Sequence, residues 1–138
     1  MTEIEVFENS QCNTKDKLRN FAKYVPRQSI ARFLCQIEIF KRQLEIKGSI
    51  VECGVHHGGG LMAWAKLSST FEPYNYHRKI IGFDTFGKFP NTKFKKDDKS
   101  RKNFIKVAGA NSISTNQLSI VLKNKGITKK IELIKGNI

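Results

Sequence analysis

Residues 49–60 read SIVECGVHHGGG: a short β-rich run, Ile50-Val51-Glu52-Cys53, breaks on Gly54 and arrives at the triplet Gly58-Gly59-Gly60. The next stretch, LMAWAKLSSTF at 61–71, puts Leu61, Trp64, Ala65 and Leu67 on a helical face. The order is strand, glycine turn, helix. After a polar connection from Glu72 to Arg78 that contains Pro73, KIIGFD at 79–84 reads as a second buried strand, apolar and closed by a carboxylate. Such a βαβ unit predicts two parallel strands joined by a right-handed crossover.

Downstream, residues 91–111 are polar and lysine-rich with little pattern, long for a loop, and read as a basic mobile cover. Ser114-x-x-Gln117 is a capping box that opens a helix through Leu118, Val121 and Leu122, stopped at Gly126. Ile131-Glu132-Leu133-Ile134 gives a third strand. Upstream, Ile30, Phe33, Leu34, Ile37 and Leu44 recur at helical spacing between Pro26 and Lys47, with Gly48 as a left-handed stop, and predict an amphipathic helix. Residues 1–25 read as an N-terminal arm or short helix. The expected fold is α/β, a Rossmann-like three-layer α/β/α arrangement with parallel strands, and residues 26–138 supply its N-terminal half. An open doubly wound sheet usually needs about five strands or more. Only three are legible, so the fold reads as truncated after the third strand: a fragment, a shortened product, or a half that depends on another chain or a second copy.

The composition narrows the functional classes. No run of about 18 apolar residues exists to span a bilayer, and the acidic, polar N-terminus MTEIEVFENSQ lacks the basic start and apolar core of an export signal. A cytoplasmic protein without a membrane partner is expected. Cys12, Cys35 and Cys53 are odd in number and widely separated, so reduced thiols are expected rather than a zinc knuckle or redox pair. His56 and His57 are adjacent and would point apart on a regular element; they read as solvated, and no metal site is expected. Trp64 reads as core and His77 as exposed. The formal charge of +13, from 25 Lys and Arg against 12 Asp and Glu, would suit a phosphate-rich partner. Much of the excess, however, lies in Lys93–Lys102 with few interleaved aromatics to stack bases, which argues against nucleic acid.

The glycines at 54 and 58–60 leave room for a ligand to touch backbone near a helix N-terminus. A P-loop would need Lys-Ser/Thr where Gly60-Leu61 stand, and a dinucleotide fingerprint would need glycine at Val55-His56. ATP and NAD are disfavoured. Asp84, at the end of the second strand, is placed to accept the ribose hydroxyl hydrogens of an adenosine ligand. The interval from Gly54 exceeds the usual spacing of about 20 residues, and the insertion at 72–78 accounts for the excess.

ExGVxxGG in Glu52–Gly59, GFDTFGKFP in Gly82–Pro90, a basic insertion, a helix and then IELIKGN together resemble the macrocin O-methyltransferase (TylF/MycF-type) family of S-adenosylmethionine-dependent methyltransferases. The resemblance covers about Ser29 to Ile138. It implies that Glu52 and Gly54 line the methionine end of S-adenosylmethionine, that Gly58 and Gly59 open the helix beneath it, that Asp84 holds the ribose, and that Thr85 and Phe86 flank the adenosine. Asn137 stands near the adenine, where the family commonly carries an acidic residue. The implied reaction is methyl transfer to a hydroxyl of a sugar or glycosylated small molecule, with Mg²⁺ and a general base whose residues lie beyond Ile138 in the family; the catalytic residues of this chain are thus unassigned. A competing reading is a non-catalytic binding module that contacts a partner protein or nucleic acid through its basic surface.

Overall fold

Three strands, β1 (Ile50–Cys53), β2 (Ile80–Asp84) and β3 (Ile131–Lys135), form one sheet in the order β1-β2-β3 in the computed structural model, which describes residues 2–91, 97–127 and 130–137. Both pairings are parallel, with Val51 opposite Ile81 and Gly82 opposite Leu133. Parallel neighbours require crossovers. Helix α4 (Gly59–Phe71) makes the first, and α5 (Asp98–Ala108) with α6 (Thr115–Asn124) makes the second. This is the open, helix-flanked parallel α/β sheet expected from the sequence.

The core lies where α4 and α6 meet the sheet. Leu61 and Ala65 come from α4 and Leu118 and Leu122 from α6, each pair one helical turn apart, and they close around Ile80 of the central strand with Val55 and Phe86. Each leucine so buried contributes about 1.5–3 kcal/mol. Gly82 in β2 is part of the same packing: a Cβ there would lie 2.7 Å from Val55 Cγ2 and 3.0 Å from Leu61 Cδ1. Helix α6 begins with the expected capping box, Ser114 Oγ accepting from the Gln117 N–H. It ends with the Ile127 N–H on the Leu122 carbonyl and the Gly126 N–H on the Lys123 carbonyl, a Schellman arrangement that Gly126, at φ 68°, permits.

Residues up to Arg42 and those from Gln43 onward form separate compact units. The first contains α1 (Glu3–Glu8), α2 (Thr14–Arg19), a 3₁₀ turn at Phe21–Lys23, and α3 (Arg27–Arg42). The 1–25 segment is therefore two short helices and a turn, with Thr2 and Asn13 as side-chain N-caps and Lys17 Nζ collecting the Phe7 and Glu8 carbonyls at the end of α1.

Two expectations need correction. The helix predicted to run from Pro26 to Lys47 stops at Arg42, and Phe33 and Leu34 on its apolar face are 41% and 56% exposed. The carbonyls of Gln43, Ile46 and Gly48 instead point at the guanidinium of Arg78, which is buried and also lies 2.6 Å from Glu72 Oε1. An acceptor set gathered by one cation replaces helical hydrogen bonding. Second, the patternless segment 91–111 contains α5. Arg101, Phe104, Ile105 and Ala108 follow the i, i+3, i+4, i+7 spacing of one helical face, and Asp98 pairs with Lys102 at 2.7 Å. Residues 92–96 of the same segment lie outside the described residues.

Candidate functional site

The carboxyl ends of all three strands open into one cavity of about 380 Å³. β1 delivers Cys53 and Gly54, β2 delivers Phe83 and Asp84, and the residues after β3, Gly136 and Asn137, complete the floor. Ligands of open parallel α/β sheets bind at this end of the strands. The excursion that carries α5 is closed at its base by Phe89 N–H to the Ala110 carbonyl and Ser112 N–H to the Gly87 carbonyl, both 2.8 Å. Phe89, Pro90, Phe104 and Gly109 from this part of the chain line the cavity together with Asp84. Phe104 of α5 packs on Phe89 with ring centroids 4.9 Å apart, and Arg101 fixes the same loop through Nε to the Pro90 carbonyl at 2.8 Å.

Asp84 is the hub. Its Oδ1 accepts from the Phe86 N–H at 2.8 Å and the Ser112 hydroxyl at 2.7 Å; its Oδ2 accepts from the His56 N–H at 2.9 Å. Thr85 Oγ1 stands 3.3 Å from Oδ1 and 3.1 Å from the Lys88 carbonyl, so its one proton can go to either. Partial burial pushes the carboxyl pKa up, but the hydrogen bonds from His56, Ser112, Phe86 and Thr85 outweigh it and hold the group below its ordinary 3.8. Asp84 is thus an anion at neutral pH. A carboxylate has about four acceptor positions, so Oδ2 keeps room for a further donor from a ligand.

Of the residues expected from the sequence, Gly54, Asp84, Thr85 and Asn137 meet at the cavity. Glu52, Gly58, Gly59 and Phe86 do not line it. Phe86 is buried in the core, with its backbone in the left-handed region at φ 48°. Gly58 and Gly59 do open α4, but neither lines the cavity. Gly58 caps α4 at φ 85°, and a Cβ on it would lie 2.8 Å from Leu118 Cδ1, whereas Gly59 has open space around it. Gly60 is the one that meets Glu52: a Cβ there would overlap Oε1, so the carboxylate sits directly against the first turn of α4.

Three contributors were missed. Ser112 lies 28 positions from Asp84, and nothing local marks it. Phe104 belongs to a helix that composition concealed. His56 read as solvated, yet it is half-buried, lines the cavity, and places Nε2 2.9 Å from the Ala108 carbonyl. Its position immediately after the strand-ending glycine, where a turn must pass the second strand, was the available signal. Among the described residues no group of three or more His, Cys, Asp or Glu lies together to hold a metal ion, and no helix is long and apolar enough to cross a membrane.

No protein-family model matches this chain, and no curated protein does. Solved structures do. A crystal structure of the calicheamicin methyltransferase CalS11 superposes with a TM-score of 0.75 at 24% identity, covering 97% of this chain and 55% of that one. Apo CalS11, described as a TDP-rhamnose 3'-O-methyltransferase, gives 0.62 at 25% identity over 99% of this chain and 53% of that one. The O-methyltransferase NovP gives 0.64 at 15% identity, with 76% and 44% covered. The chain has the fold of these O-methyltransferases and spans about half their length.

Proposed function

We propose that the unit from Gln43 to Ile138 is the cofactor-holding half of an S-adenosylmethionine-dependent O-methyltransferase, of the macrocin O-methyltransferase (TylF/MycF-type) kind, whose acceptor is a hydroxyl of a sugar or glycosylated small molecule. The observation that carries the reading is the convergence of three parallel strand ends, with the ionised Asp84, on a single cavity. Its volume falls within the range of about 300–1,000 Å³ usual for small-molecule sites. The likeness of fold to CalS11 and NovP favours a methyl donor over the other adenosine ligands that such a site could hold.

The residues fit the cofactor. Oδ2 of Asp84, which accepts one N–H from His56, has room for a ribose hydroxyl, while Oδ1 is engaged by the Phe86 N–H and the Ser112 hydroxyl. Phe83, Phe89 and Phe104 supply apolar and aromatic surface, and Asn137 offers an amide to the edge of a base. When bound, S-adenosylmethionine supplies a methyl group on a sulfonium, open to attack by an oxygen nucleophile. The chain's part is to bind and orient: strand ends fix the nucleoside, and the Gly54 turn admits the chain that leads to the sulfonium. Mg²⁺ finds no donor set among the described residues, and no residue is assigned to it.

Calorimetric titration of the 138-residue chain with S-adenosylhomocysteine tests the reading. Saturable one-site binding is expected, weakened tenfold or more, about 1.4 kcal/mol, in both Asp84→Asn and Asn137→Ala. Absence of binding by a folded chain overturns it and favours a non-catalytic module.

A further inference from the structure

We propose that His56 is a positioning residue whose ring ties the last turn of α5 to the glycine turn after β1 and so fixes the cavity wall that faces Asp84. The proposal rests on the cofactor reading of that cavity.

His56 sits at φ 54°, a left-handed conformation uncommon for any residue but Gly, although His enters it, with Asn and Asp, more readily than other side chains. Such strain persists where the surroundings over-determine it, and here three atoms of one residue are engaged. The N–H goes to Asp84 Oδ2 at 2.9 Å, the carbonyl accepts from the Ile113 N–H at 2.8 Å, and Nε2 meets the Ala108 carbonyl at 2.9 Å. The main-chain pair would form with any residue that tolerates the turn. Only the ring reaches α5.

The acceptor explains why a ring is needed. The last carbonyls of a helix have no intrahelical donor, and the N–H four residues after Ala108, that of Ser112, is spent on the Gly87 carbonyl. A carbonyl oxygen only accepts, so Nε2 carries the hydrogen, which holds for one neutral tautomer and for the imidazolium alike. The bond therefore does not depend on the charge of the ring. Directly beyond Ala108 come Gly109, Asn111 and Ser112, which line the cavity, and Ser112 is the hydroxyl donor to Asp84. Arg101 anchors the earlier turn of α5 to the Pro90 carbonyl; His56 anchors the later one. Releasing the second anchor loosens the segment that presents Ser112 to Asp84.

Two substitutions in the full chain separate this role from general stability. His56→Asn suits the left-handed backbone but is too short to reach Ala108. His56→Gln returns an amide N–H near the place of Nε2. Without ligand, amide exchange in 104–112 is expected to run about threefold to tenfold faster in His56→Asn, the loss of one hydrogen bond, and to return toward wild type in His56→Gln. Affinity for S-adenosylhomocysteine is expected to follow the same order, measured well below both melting temperatures. Unchanged exchange in His56→Asn, no recovery in His56→Gln, or altered exchange with unaltered affinity would each overturn the proposal. If the wild-type chain binds no S-adenosylhomocysteine, the cofactor reading fails by itself, and the exchange measurement still decides whether the ring holds α5.

Discussion

Asp84 accepts the main-chain N–H groups of two residues held in the left-handed region, His56 in the turn after β1 and Phe86 in the turn after β2. One carboxylate thereby ties together the two turns that follow β1 and β2. Its pKa is depressed, so the stabilisation it gives is complete above the ordinary 3.8 and is lost as pH falls through the lower folded value. The melting temperature of the wild-type chain should therefore drop more steeply between about pH 4 and pH 2 than that of Asp84→Asn, followed by circular dichroism. Equal slopes would mean that the hydrogen bonds do not distinguish the charged form. At the same scale, Gly82→Ala places a methyl against Val55 and Leu61 and should cost about 1–3 kcal/mol in urea denaturation. The glycines at 54–60 were legible as a turn, because only glycine clusters so between a strand and a helix. Which glycine faced which neighbour was not: Gly58 answers to Leu118 and Gly60 to Glu52, and those contacts exist only after folding.

Elements with a strong period were read nearly as they stand. The three strands and the helices α4 and α6 carry their apolar residues, caps and stops in the local sequence, and the Ser114 capping box is an example worth about 1 kcal/mol, to be seen as lost stability in Ser114→Ala. Helix α5 escaped because seven of its eleven residues are polar and its one aromatic, Phe104, packs on Phe89 of a loop. The early end of α3 escaped for a different reason. Arginine is rarely buried, and nothing local marks Arg78 as the residue that gathers the carbonyls of Gln43, Ile46 and Gly48 beside Glu72. Removing one partner of a buried ion pair costs about 3–5 kcal/mol. Arg78→Met should lose that much by chemical denaturation, and Arg78→Lys should recover little, because an ammonium cannot fork to the same carbonyls.

Across the whole molecule, parallel strands bring their carboxyl ends together whatever the loops do, so the pattern of three strands was enough to point to the end of the sheet where the candidate site lies. Gly54, Asp84, Thr85 and Asn137 meet for that reason. His56, Ser112 and Phe104 join them through bonds and packing that span long stretches of sequence, such as the 52 positions from His56 to Ala108, and no local pattern carries that information. On the proposed function, these strand ends bind an adenosine cofactor. Amide chemical shifts of the ¹⁵N-labelled chain, followed during titration with S-adenosylhomocysteine, test it most directly. Saturable changes centred on Gly54, Thr85, Ser112 and Asn137 are expected. Unchanged shifts at those residues, or changes confined to the lysines of α5 or to the helices before Gln43, would contradict it.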